Sequence, residues 1–109
     1  MGFFSKNTKQ EALCQIEKIN QEMRAISASM HLNYNMIDGR NRNEVRRHYN
    51  NIVGYVSKYK RIKGSFPMLE QLELEAEKIM LWNGKEADIT TWEFYLFPLL
   101  EEIYKEVNY

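Results

Sequence analysis

The chain has 109 residues, 44% of them hydrophobic and 28% charged, with only five Gly and two Pro. That balance suits one folded domain and excludes the low-hydrophobicity, high-charge composition of a disordered chain. Fifteen basic residues face fifteen acidic ones, so the formal net charge is zero, whereas a nucleic-acid-binding domain is usually basic overall as well as on one face.

Ala25 to Ile37, the longest run without Lys, Arg, Asp or Glu, holds 13 residues and falls short of the roughly 18 to 20 apolar residues of a membrane span. No transmembrane helix is expected. In the opening "MGFFSKN", Lys6 stands where a myristoylation signal wants Ser or Thr, and no apolar signal-peptide region follows, so neither lipidation nor secretion is expected. Cys14 is the single cysteine and has no internal disulfide partner; a reducing, cytoplasmic compartment is the expectation. Phe3 and Phe4 are expected to pack over the end of the first helix.

Four helices follow in chain order. Ala12, Ile16, Ile19, Met23, Ile26 and Met30 recur at spacings of four and three, one stripe of an α-helix over 8–31, with Asn7 or Thr8 as its N-cap. The Asn-rich stretch 31–43, with an Asp38-Gly39 turn signal, reads as a loop. A second helix over 44–63 carries the stripe Val45, Tyr49, Ile52, Val56 and Tyr59 and ends at Gly64, which tolerates the left-handed conformation of a C-terminal cap. Gly54 sits inside it at a cost of about 1 kcal/mol relative to Ala, which the close approach of a neighbouring helix would explain.

Pro67 suits the first turn of a third helix over 67–82, with Met68, Leu69, Leu72, Ala76, Ile79 and Met80 facing inward and Asn83-Gly84 ending it. The fourth, over 91–107, places Trp92, Leu96, Leu99, Leu100, Ile103 and Val107 on its core side. Asp88 or Thr90 would cap it, and Thr90 with Glu93 has the capping-box spacing. Pro98 has no N–H for the Phe94 carbonyl, so a kink or a fresh start is expected there. The fold class is therefore all-α: one compact bundle of about four helices, the last kinked or restarted at Pro98.

Charge is uneven along this neutral chain. Residues 40–64 carry eight Lys/Arg and one Asp/Glu, while residues 65–109 carry three and ten. Edge cations such as Lys60 are expected to reach Glu70, Glu73 or Glu77 on a packed neighbour. Arg40, Arg42, Arg47, Lys58 and Arg61 form a candidate basic patch for phosphate or an acidic partner. Tyr49 and Tyr59 belong to the core stripe, which leaves Tyr55 as the exposed candidate for base stacking.

Catalytic patterns are thin. His31 closes the first helix, His48 flanks the second, and Glu44 with His48 supplies only two of the three or four ligands a metal needs. Cys14 has no sequence-coded activating partner, the adjacent Glu101 and Glu102 point in different directions, and no Gly-rich phosphate loop is present. No cofactor is expected. Fourteen aromatic residues exceed what one small core needs, and in "TWEFYLFPLL" Trp92, Phe94, Tyr95 and Phe97 point around the whole helix; these four are the candidate partner contacts. The reading is a noncatalytic helical interaction module, an adaptor, inhibitor or self-associating protein such as a homodimer. A protein that binds nucleic acid weakly through the second helix is the alternative, and a small enzyme without a recognisable motif is the remaining one.

Overall fold

Ala12, Ile16, Ile19, Met23, Ile26 and Met30 all lie at 2% exposure or less along one face of α1, which runs Gly2–Asn33 in the computed structural model of the chain. Burying six such side chains contributes on the order of 1.5 to 3 kcal/mol for each large one, which makes this stripe the spine of the molecule. The structure describes residues 2–33, 39–78 and 86–108, with side chains described over 8–31, 42–78 and 90–108.

Three further helices complete the bundle: α2 (Gly39–Lys63), α3 (Pro67–Glu77) and α4 (Glu86–Asn108). Among the described residues there is no strand. α1 packs against α2 and α4, while α3 rests on α4 and α2. Contacts running in opposite senses show the antiparallel order. Glu22 meets His48 and Lys18 meets Tyr55 between α1 and α2; His31 meets Glu93 and Arg24 meets Phe97 between α1 and α4. α2 and α4 therefore occupy opposite corners, separated by α1 on one side and α3 on the other. At about 1.5 Å per residue, α1 alone spans roughly 48 Å, which accounts for an elongated shape of 53 × 23 × 18 Å.

The inward stripes match the sequence periodicity except at Tyr49, which is only half-buried at the edge of α2. Val45, Ile52, Val56 and Tyr59 of α2 are buried, as are Leu69, Leu72 and Ala76 of α3 and Trp92, Leu96, Leu100 and Ile103 of α4. Met68, Leu99 and Val107 pack partly covered at the core's edge. Gly64 takes φ +83° and donates its N–H to the Lys60 carbonyl at 2.8 Å, closing α2 with the expected left-handed cap. Phe66 is the N-cap of α3 in extended geometry, and its carbonyl accepts from the amides of Leu69 and Glu70 while Pro67 occupies the first turn.

The helix boundaries differ from the sequence reading in several places. α1 begins at Gly2, not near residue 8, because nothing in residues 2–8 breaks a helix, so neither Asn7 nor Thr8 is its cap. The Asn-rich stretch is mostly helical too, α1 reaching Asn33 and α2 starting at Gly39. α3 ends at Glu77; Ile79, Met80 and Asn83-Gly84 lie outside the described residues, as do the side chains of Phe3, Phe4 and Asp88 and the backbone of Asp38.

α4 begins at Glu86, which places Thr90 inside the helix instead of at a capping box, and runs unbroken through Pro98. No fresh start occurs there. Pro98 and Phe94 both face solvent, where water can satisfy the carbonyl that Pro98 leaves without an N–H. Gly54 is exposed, and a Cβ added to it would meet nothing within 4 Å. Among the described residues no helix makes the close approach expected there.

Candidate functional site: two outward helix faces

Trp92 is 6% exposed, and its indole N–H donates to the Glu75 carbonyl at 2.7 Å. It is a core residue joining α4 to α3 and not, as its place in the aromatic run suggested, a partner contact. Phe97 is also partly buried, packed on the core with the Arg24 guanidinium 5.3 Å above its ring. Phe94 and Tyr95 are different: they are 73% and 59% exposed. Their rings meet edge-on with centroids 5.5 Å apart, a favourable pairing that presents an ordered apolar surface to solvent.

Beyond this pair on the same outward side of α4 come Pro98, Glu101 and Glu102, all exposed. Glu102 lies 3.7 Å from Lys105, a contact too open to neutralise the face. The outer side of α4 is thus aromatic in its middle and acidic toward its C-terminus.

α2 carries the opposite charge. Arg42, Arg47, Lys58 and Arg61 are all exposed, while the Arg40 side chain lies outside the described residues. Arg47, Asn51, Gly54, Lys58 and Arg61 follow one another at spacings of four and three, so they share one line along the helix. Lys60 makes the expected edge contact, Nζ to Glu73 Oε1 at 2.5 Å. Arg42, Arg46, Arg47, Lys58 and Arg61 make no ion pair with any described residue. Tyr55 is half-buried beneath Lys18, 5.6 Å from the ring centroid, which removes it as an open stacking platform.

Several polar contacts were not legible in the spacing. Glu93 turns toward α1, where Ser27 donates to its Oε2 and His31 Nε2 lies 2.9 Å from Oε1. His48 Nδ1 stands 2.5 Å from Glu22 Oε2. Glu75 is 6% exposed and is held by Lys78 and Gln71 at 3.0 and 2.9 Å. One signal was available: Ser27 and His31 are four apart on α1, at the edge of the stripe, where a neighbouring helix can reach both.

Ser27, His31 and Glu93 form one hydrogen-bonded group between α1 and α4. A serine becomes a nucleophile when an imidazole takes its proton, whereas here the Glu93 carboxylate stands between Ser27 and His31. Burial, then the charges of Glu77 and Glu73, raises the Tyr49 hydroxyl above its ordinary pKa; burial, then Glu106, does the same for Tyr59. Both stay protonated at neutral pH. Among the described residues no three His, Cys, Asp or Glu side chains gather as a metal site, and no helix is long and apolar enough to cross a membrane. The chain matches no family model, no curated protein and no solved structure.

A shallow groove of about 400 Å³ also runs between α1 and α4, floored by Ile16, Phe97 and Leu100 and rimmed by Glu17, Arg24, Glu101 and Lys105. Its rim charges alternate in sign and select no ligand by charge.

Proposed function

We propose that the protein is a noncatalytic helical interaction module that engages a protein partner through the outer face of α4. The observation that carries this reading is the Phe94–Tyr95 pair, two large rings 73% and 59% exposed and packed edge-on against each other. Rigid aromatic groups at a surface supply contact area at low entropic cost and anchor protein interfaces. A cytoplasmic setting and the absence of a resident cofactor belong to the same reading.

A photo-crosslinking side chain placed at Tyr95 tests it in the native cell. A discrete adduct is expected, and it should disappear when Phe94→Ser is added, with the melting temperature of the purified variant unchanged. Illumination that yields no adduct at any expression level would leave this aromatic face as bare solvated surface and remove the reading.

The α2 cations that pair with no described residue support a second reading, binding of nucleic acid to the phosphate backbone. Such binding would be sequence-independent and fall steeply with salt, because each phosphate contact releases counterions. Titration of labelled duplex and single-stranded oligonucleotides at two salt concentrations tests it, with loss by about 0.2 M salt expected, since the acidic C-terminal third repels the same polyanion.

A further inference from the structure

We propose that the partner of the aromatic-acidic face of α4 is the basic face of α2 on a second copy of this chain, so that copies associate head to tail. The proposal rests on the reading that α4 is an interaction surface and names its occupant.

Three observations converge on it. The chain is neutral overall yet divided, α2 carrying eight Lys/Arg against one Glu, while the outer side of α4 presents the exposed carboxylates Glu101 and Glu102. Two copies therefore have no net repulsion to overcome, and each offers the other an opposite face. A basic α2 against another α2 would be repelled, which disfavours an α2–α2 contact.

The second observation is two breaches of helix chemistry, one at the middle of each face. Gly54 and Pro98 are both poor helix-interior residues and both exposed, and a Cβ at Gly54 would meet nothing among the described residues. Local rules are broken without internal compensation chiefly where function asks for it. Gly54 makes a shallow place on α2, beside half-exposed Val53, that a ring from another helix can enter closely.

The spacing agrees. Phe94 and Glu101 are seven residues apart, and Gly54 is seven residues from both Arg47 and Arg61. With Phe94 seated over Gly54, about 10.5 Å of helix brings Glu101 opposite one of these arginines whichever way the two helices run.

Position in the bundle determines the symmetry. Because α2 and α4 stand at opposite corners, their outer faces look away from each other, and a closed two-fold pair cannot use both contacts at once. The contact is heterologous: each copy has one face of each kind left to extend the assembly.

Sedimentation velocity over a wide concentration range tests this with five samples. Wild type should show a weight-average mass that climbs past twice 13.1 kDa, weakening roughly tenfold between low and high salt. The α2 variant (Arg47→Glu, Lys58→Glu, Arg61→Glu) and the α4 variant (Phe94→Ser, Tyr95→Ser) should each stay monomeric alone. Mixed, they should form a one-to-one pair and nothing larger, since each retains the face the other lacks. An alanine version of the α2 variant removes charge without reversing it, and helical content by circular dichroism separates lost contact from lost fold.

Monomeric wild type at millimolar concentration overturns self-association; if the Tyr95 crosslink to a different protein persists, α4 keeps its interaction role with another occupant. Mixed variants that remain monomeric, or a dimer that survives both variants, overturn the head-to-tail geometry. Tight oligonucleotide binding at physiological salt that the α2 variant abolishes assigns that face to nucleic acid instead.

Discussion

The indole N–H of Trp92 on α4 donates to the backbone carbonyl of Glu75 on α3 at 2.7 Å. Glu75 lies in the last turn of α3, which ends at Glu77, so its carbonyl is one of the four that a helix C-terminus leaves without an amide four residues on. A side chain from a different helix thus satisfies a helix end while burying a large apolar ring. We expect Trp92→Phe to destabilise by about 2 to 3 kcal/mol, from the abandoned carbonyl and the lost volume together. Urea unfolding measures it, and a loss below roughly 1 kcal/mol would mean that water replaces the indole.

Two substitutions on the outer faces should act in the opposite direction. Gly54 is exposed with open space above it, so Gly54→Ala should stabilise by about 0.5 to 1 kcal/mol through reduced freedom of the unfolded chain. Pro98→Ala restores an amide to α4 and should gain about 1 to 3 kcal/mol. Thermal melts of the monomer at low concentration check both. No gain from Gly54→Ala would show that the glycine conformation is required within the chain.

Ile19 is fully buried at the middle of the α1 stripe. Truncation to Ala removes three carbons from a site enclosed by several helices, and the expected cost is about 2 to 4 kcal/mol. Guanidinium unfolding, with the slope compared to wild type, measures it; a cost under roughly 1 kcal/mol would place the stripe against something other than this core.

Alkaline stability should report the two raised tyrosines. Burial first, and Glu106 second, holds the Tyr59 hydroxyl above its ordinary value, and Tyr49 is raised by burial, Glu77 and Glu73. The unfolded chain gives up these protons at about pH 10, before the folded chain does, so it binds fewer protons there. Stability is fully present below that point and falls as pH rises through the folded values. The double variant Tyr49→Phe, Tyr59→Phe should show a shallower decline from about pH 9 to 11, followed by denaturant midpoints at each pH. Parallel declines in both proteins would assign the loss to other groups.

The helices and their inward faces were legible in the sequence because an α-helix repeats every 3.6 residues, and local spacing alone sets which side chains share a side. Ile19, Ile52, Leu72 and Leu96 could be placed in the core on that basis, Gly64 could be named as a cap because few residues adopt positive φ, and the division of charge between α2 and the C-terminal third is written in composition. Trp92 shares the core stripe with Leu96 and was legible as covered on the same basis; the partial cover of Phe97 was not, since it depends on where α1 places Arg24. The same holds for Glu93, read as a capping residue until α1 brings Ser27 and His31 to it across more than sixty positions of chain. Packing between distant segments also set α2 and α4 at opposite corners, and so made two separate faces, one basic and one aromatic and acidic, of what the sequence presents only as a run of charge and a run of rings.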